Sequence, residues 1–427
     1  MAKETLAING GKPVTTEPFP MWPQFEESTI EAAMEPLRTG KVNYWTGTRG
    51  VEFEKKFAAW CGAKYGISTS NGTSALHTAL AALGIGPGDE VITSSYTFIA
   101  SSFCVCQAGA IPVFADVCKE THTIDPKSIE EKITDKTKAI IVVHLYGTPC
   151  DMDPIMEIAR RHNLYVVEDC AQAHGAVYKG KKVGTIGHVG CFSFCQSKHF
   201  TTGGEGGCVI TDDEDLAWEC RSFRDHGYNV KERLRLLELE AKLLYIHNRV
   251  GFNYRLTETQ SVIGLRELDR MDSWNLPNRR RNGEMLLSAL RDCPQVQYLP
   301  PHNENGVVNA FWLFPIVLNL DRLTCDKATF MKAIEAEGIP AVFVLWPQSY
   351  KEKAFREHGG FGQARYPFRD PLTNPESVAY DKAFCPNAAW LEERTFSFPV
   401  HPVYEPHHIN LMIEAFLKVA KAYAKPE

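Results

Sequence analysis

Tyr165-Val166-Val167-Glu168-Asp169-Cys170-Ala171-Gln172-Ala173-His174-Gly175 is the stretch that decides the fold of this 427-residue chain. Its apolar run shows no polar alternation, stops at two carboxylates and passes into small turn-forming residues. That is the pattern of a strand covered on both faces, as in parallel sheets wrapped by helices. Upstream, Ala139-Ile140-Ile141-Val142-Val143-His144 has the same character, as does Ala110-Ile111-Pro112-Val113-Phe114-Ala115-Asp116. Gly88-Asp89-Glu90 turns into a further short strand at Val91-Ile92-Thr93. Helical periodicity lies between them, over 74–83, 99–108 and 153–162. The alternation predicts an α/β fold with a mostly parallel sheet. In such sheets ligands bind at the carboxyl ends of the strands, where Asp169 and the residues after Val143 and Ser94 fall.

Downstream, 190–194 is strand-like and 231–246 reads as a charged amphipathic helix with leucines at 234, 236, 237, 239, 243 and 244. Helical patterns follow over 257–276 and 277–290, then a break at 294–301. A strand is expected over 310–318, with helices over 326–337 and 409–424. These elements predict a large domain over 1–280, including an N-terminal segment on the substrate side, and a smaller α+β domain over 281–427. The Pro- and aromatic-rich stretch 350–386 has little periodicity and is expected to be a long functional loop or an irregular surface insertion.

Composition narrows the function classes. The net charge is −6 and Arg279-Arg280-Arg281 is the one block of like charge, which disfavours nucleic acid as a partner. No apolar run approaches the ~20 residues of a membrane span, and Met1-Ala2-Lys3-Glu4-Thr5 lacks the layout of a signal peptide. The 13 cysteines form no ladder of paired spacings and no zinc pattern. They read as reduced, buried thiols of a cytoplasmic enzyme without a metal.

Three motifs carry chemistry. Asn71-Gly72-Thr73-Ser74 opens an apolar helix, where backbone N–H groups and hydroxyls face an anion; an ordinary N-cap has the same pattern. Asp169 ends a buried strand, either as a functional anion or as a cap or salt-bridge partner. Gln172 and His174, on the same loop, suit hydrogen bonding to a ring substituent or stabilisation of the fold. Lys198 closes Cys191-Phe192-Ser193-Phe194-Cys195-Gln196-Ser197-Lys198 and precedes Gly203-Gly204-Glu205-Gly206-Gly207. Apolar surroundings lower a lysine's pKa and make its amine a nucleophile, and glycines allow close approach of a bulky ligand. A phosphate-binding helix start, a strand-end acid and a desolvated lysine, in that order, suit pyridoxal 5'-phosphate: an amine holds its aldehyde and an anion its ring nitrogen.

These residues resemble the sugar aminotransferases of the DegT/StrS type, among the fold-type-I pyridoxal-phosphate enzymes, and the likeness covers nearly the whole chain. It is carried by Asn71-Gly72-Thr73-Ser74-Ala75-Leu76, Tyr96-Thr97-Phe98-Ile99-Ala100, His144-Leu145-Tyr146-Gly147, 168–175, Arg224-Asp225-His226-Gly227, 251–258 and Phe398-Pro399-Val400-His401-Pro402. The resemblance implies a seven-stranded-type sheet, with Lys198 as the cofactor-bearing lysine and Asp169 as partner of the ring nitrogen. It further implies Gln172 at the phenolic oxygen, Phe98 stacked on the ring, and Gly72, Thr73 and Ser193 around the phosphate. Asn253 would reach the phosphate of a neighbouring subunit, hence a homodimer with shared active sites. Arg255, His401, Tyr44 and Trp45 are the candidate substrate contacts.

The implied activity is transfer of an amino group from glutamate or glutamine to a keto group of a sugar or cyclitol, by a ping-pong route through pyridoxamine 5'-phosphate. A dehydratase branch carries histidine at the lysine position; here Lys198-His199 keeps the lysine, which favours transamination. Gln196-Ser197-Lys198, the glycines that follow and the leucine-rich 236–247 stretch resemble the branch acting on cyclitol ketones of the scyllo-inosose type or on aminobenzoate precursors. The alternatives are an aminotransferase for nucleotide-linked keto sugars of cell-surface polysaccharide, a non-transaminating pyridoxal enzyme, and a cofactor-binding regulator. One departure from the family pattern is the extra glycine at Gly203-Gly204.

Overall fold

The computed structural model describes residues 5–231, 246–341 and 348–426, so the charged helix expected over 231–246 lies almost wholly outside the described residues. The chain runs through β1 (Tyr65–Thr69), β2 (Glu90–Ser94), β3 (Ile111–Ala115), β4 (Thr137–Val143) and β5 (Tyr165–Asp169). A short hairpin of β6 (Val177–Tyr178) and β7 (Lys181–Lys182) precedes β8 (Val189–Ser193) and β9 (Gly207–Thr211). Seven of these form one sheet in the order β1-β9-β8-β5-β4-β2-β3. Pairing is parallel from β8 through β5, β4 and β2 to β3, and β9 runs against both its neighbours. Helices Gly72–Ala82, Ala100–Ala108 and Met152–His162 connect and cover the strands. Every residue of β2, β8 and β9 is buried, which is why their sequences do not alternate.

The adjacent acids ending β5 face opposite sides of the sheet. Glu168 is fully buried, and its carboxylate accepts from His144 Nε2 at 3.0 Å and from the backbone N–H groups of Gly184, Ile186 and Gly187 at 2.6–2.7 Å. His144 Nδ1 accepts from the Cys150 N–H at 3.0 Å, so the ring proton sits on Nε2 and donates to Glu168. Burial pushes the Glu168 carboxyl up, but His144 and the converging amides outweigh it and hold the group below its ordinary value. Glu168 thereby pins the turn 184–187 beneath the sheet.

After the helix Glu258–Asp269 and a π-helical segment, Met271–Asn275, the helix Leu276–Leu290 leads into β10 (Val296–Tyr298), β11 (Val307–Val308), β12 (Leu313–Leu318) and β13 (Thr395–Pro399). β10, β12 and β13 form an antiparallel sheet, while β11 pairs with β6. Helices Lys327–Ala336 and Pro406–Ala422 close a second core around Phe314, Phe330, Phe396 and Phe416. The break expected over 294–301 contains β10, and the strand expected from Ala310 starts only at Leu313. The intervening Phe311 has φ +48°, outside strand geometry.

The stretch expected as a loop or surface insertion buries much of its aromatic content. Phe355 and Tyr380 pack on Phe114 of β3, with ring centroids 5.2 and 5.6 Å away, and Phe368 joins them. It serves as the cover of that end of the sheet, in short turns that leave no periodic signature.

Glu168→Gln sets an amide N–H₂ against inward-pointing N–H donors, so urea unfolding is expected to show a loss of about 3 kcal/mol. Because this carboxyl is held below its ordinary value, the stabilisation is complete at neutral pH. It is lost only as pH falls through the lowered value.

Candidate active site

At the carboxyl ends of β5 and β8, beside the segment that follows β2, a cavity of about 620 Å³ opens. Asp169 forms part of its wall, with one carboxylate oxygen accepting from Ser101 Oγ at 2.8 Å and the other from the Ala171 N–H at 3.1 Å. Burial pushes its carboxyl up, while these donors and the Lys198 charge oppose the rise. A carboxylate so desolvated gains from a cationic N–H brought to it in the cavity.

Lys198, half-buried, lines the same cavity with its Nζ 4.2 Å from the Trp312 ring centroid. Desolvation brings its pKa down to about 8, with Asp169 the principal opposing charge. A substantial fraction of neutral amine is therefore present near neutral pH. The turn after it uses both glycines: Gly203 has φ +89° and Gly204 φ +120°, conformations that L side chains rarely adopt. The Gly204 N–H donates to Thr201 Oγ1 and its carbonyl accepts from the Gln196 N–H, closing the loop that carries Lys198.

The third part of the wall is the start of the helix Gly72–Ala82. Asn71 caps it, accepting from the Ser74 N–H at 2.8 Å while Ser74 Oγ accepts from the Asn71 N–H at 3.1 Å. That box leaves the Gly72 and Thr73 amides for a ligand anion, aided by the helix dipole. A Cβ on Gly72 would lie 2.7 Å from Ser193 Cβ, so a glycine is needed for the helix start to close on Ser193. On the same wall Thr97 presents a buried hydroxyl with no partner among the described residues.

Of the other residues singled out in the sequence, Gln172 and Phe98 also line the cavity. Gln172 Oε1 accepts from the Tyr146 N–H at 2.9 Å, which turns its amide N–H₂ to remaining partners. Phe98 is 55% exposed. His174 packs instead among Phe192, Phe194 and Phe200. Asn253 is exposed and bridges to Asp225; it does not line this chain's cavity, though its neighbour Tyr254 does. Tyr44 is buried, its hydroxyl donating to Glu54 at 3.0 Å beneath the Arg224 guanidinium. The Trp45 indole N–H and Arg255 both donate to the buried Asp225. His401 stacks on Trp22, with centroids 5.9 Å apart, and burial lowers its pKa to about 3. The structure thus brings Lys198, Asp169, Gln172, Phe98, Gly72, Thr73 and Ser193 together and leaves Tyr44, Trp45, Arg255, His401 and Asn253 off the wall. Sequence reasoning did not find Ser101, Thr97, Trp22 or Trp312. Only Ser101 and Thr97 carried a signal, as hydroxyls flanking the Phe98 segment.

A desolvated lysine, a buried strand-end carboxylate and a helix start that closes on Ser193 through a glycine suit pyridoxal 5'-phosphate. Residues 23–417 match the DegT/DnrJ/EryC1/StrS aminotransferase family, and the chain belongs to that family. It is a pyridoxal-phosphate-dependent aminotransferase. It is similar to the GDP-perosamine synthase of Caulobacter vibrioides, 44% identical over 299 residues that cover 70% of this chain and 76% of that one. It is also similar to the L-glutamine:2-deoxy-scyllo-inosose aminotransferase of Streptomyces lividus, 37% identical over 89% of this chain and 91% of that one. Among solved structures, an aminotransferase from Psychrobacter cryohalolentis superposes with a TM-score of 0.83 at 38% identity, covering 93% of this chain and 98% of that one. Among the described residues no helix is long and apolar enough to cross a membrane.

Gly72→Ala forces the helix start away from Ser193 and is expected to weaken pyridoxal phosphate binding at least about tenfold, read by equilibrium dialysis. In cofactor-free protein the rate of cofactor capture is expected to rise with pH and level off above about 8, as the Lys198 ammonium deprotonates. A stopped-flow pH series that is flat from 6 to about 9 would contradict the lowered value.

Proposed function

We propose that this enzyme transfers the amino group of glutamate or glutamine to a keto group of a cyclitol or sugar in aminocyclitol or amino-sugar biosynthesis. Placement of Lys198 and Asp169 on one cavity beside the Gly72 helix start carries the reading. Bound pyridoxal phosphate supplies an aldehyde for amines and a ring that takes up electrons as a proton leaves the donor. Gly72, Thr73 and Ser193 would hold the phosphate, Phe98 would pack on the ring and the Gln172 amide would donate to the phenolic oxygen. Asp169 keeps the ring nitrogen protonated; its own burial makes that cationic partner favourable. Lys198 would anchor the aldehyde and, as a free amine, would take the proton from the α-carbon of the donor as base and give it back as acid within the same half-reaction. Asn253, exposed at the surface, serves the phosphate of a second subunit, in a homodimer whose sites are shared. Residues 1–280 carry the cofactor, and 281–427 contribute Trp312 over the lysine.

Likeness to the scyllo-inosose aminotransferase across nearly the full chain supports a cyclitol acceptor. A nucleotide-linked keto sugar is the second reading, favoured by the 44% identity to a GDP-perosamine synthase.

Glutamate and glutamine are each expected to bleach the visible band of the holoenzyme, and addition of 2-deoxy-scyllo-inosose to restore it. Restoration by a GDP-linked keto sugar alone selects the second reading; no bleaching by any amino donor refutes amino transfer. Lys198→Ala is expected to abolish the band and turnover, and Asp169→Asn to lower kcat by about 10³ with the fold intact.

A further inference from the structure

Three consecutive backbone carbonyls around Lys198 are each gripped by a side chain from a different part of the chain. The Trp312 indole N–H donates to the Ser197 carbonyl at 2.6 Å, and the Trp22 indole N–H donates to the Lys198 carbonyl at 3.0 Å. The Asn275 amide N–H₂ donates to the His199 carbonyl at 2.5 Å. Trp22 belongs to the N-terminal segment, Asn275 to the π-helical segment Met271–Asn275, and Trp312 to the turn before β12. All three gripping residues meet at Arg279. Its Nε donates to Asn275 Oδ1 at 2.9 Å, its Nη1 lies 3.3 Å from the carbonyl oxygens of Phe311 and Trp312, and its guanidinium sits 5.4 Å from the Trp22 ring centroid.

Arg279 is fully buried and, among the described residues, faces no carboxylate and has an Nη2 without a hydrogen-bond partner. Burial of such a charge is costly and does not stabilise a fold by itself. Its geometry is that of a planar fork organising neutral acceptors and an aromatic face, which a lysine's point charge cannot reproduce.

We propose that Arg279 is a positioning residue that locks the Lys198 loop, through Trp22, Asn275 and Trp312, so that the amine stays fixed beside Asp169 throughout the catalytic cycle. The inference rests on Lys198 being the cofactor-bearing lysine. Held at three successive carbonyls, the loop cannot rotate its peptide planes when the amine is released. The base then returns to one position for each proton movement, and proton movement is sensitive to such displacements.

The test uses the full-length holoenzyme with Arg279→Lys, Arg279→Met and Trp22→Phe, the last keeping the ring and removing only the indole donor. Borohydride fixation, followed by peptide mapping, first establishes that the cofactor is attached to Lys198 in each; attachment elsewhere refutes the parent reading rather than this one. The proposal expects both Arg279 variants to lower kcat for the amino-donor half-reaction about tenfold or more with KM within about threefold. It also expects them to shift the pH midpoint of the visible band, with Trp22→Phe shifting it in the same direction. The Arg279→Met, Trp22→Phe double variant is expected to be no worse than the more impaired single variant, because both act on one loop. In cofactor-free protein, the pH midpoint for reductive methylation of Lys198, read by mass spectrometry, is expected to move as well. Unchanged kcat and unchanged midpoints in Trp22→Phe and Arg279→Lys, with lowered thermal stability alone, overturn the proposal.

Discussion

Desolvation of charge at one end of a parallel sheet is the constraint from which the rest follows. The strand ends of β4, β5 and β8 are covered on both faces, so any ionisable group placed there loses water and must find a partner. Glu168 and Asp169, adjacent in sequence, meet that demand in opposite ways. Glu168 is saturated by a histidine and three amides and becomes a structural rivet. Asp169 receives two donors and keeps a face on the cavity, where a cationic N–H would be favourable. The same desolvation lowers the pKa of the Lys198 amine and raises that of the Asp169 carboxyl, so one environment acts on both groups.

Much of this was legible in the sequence, because its signals are local. β5 lies where its unalternating run places it, and β2, β3 and β4 agree to within a few residues. The helix start at Asn71-Gly72 and the strand-end Asp169 announce themselves by residue type. β9 was harder to read: Gly207–Thr211 is short, follows the glycine turn at once and runs against its neighbours, so neither length nor spacing marks it. The extra glycine that departs from the family pattern is accounted for by backbone conformation, since both Gly203 and Gly204 take positive φ.

What could not be read comes from distant segments. Trp22, Asn275, Arg279 and Trp312 converge on one loop from parts of the chain that share no pattern. Arg279 sits in Arg279-Arg280-Arg281, where successive charges suggest a solvated face. On a helix those three point about 100° apart, and the first turns fully inward. Tyr44 and Trp45 look like a substrate loop because aromatics and polar tips suit ligands, yet the same chemistry suits the closed networks around Glu54 and Asp225. Residue type alone does not separate the two uses; the direction of the side chain does.

The indole of Trp312, set 4.2 Å from the lysine amine, has an optical consequence. A fluorophore that close to a chromophore absorbing in the near ultraviolet and blue passes its excitation on rather than emitting. With the vitamin on Lys198, as proposed, its arrival and departure would be written into the Trp312 share of the intrinsic emission, and the unlabelled polypeptide would gauge its own site occupancy.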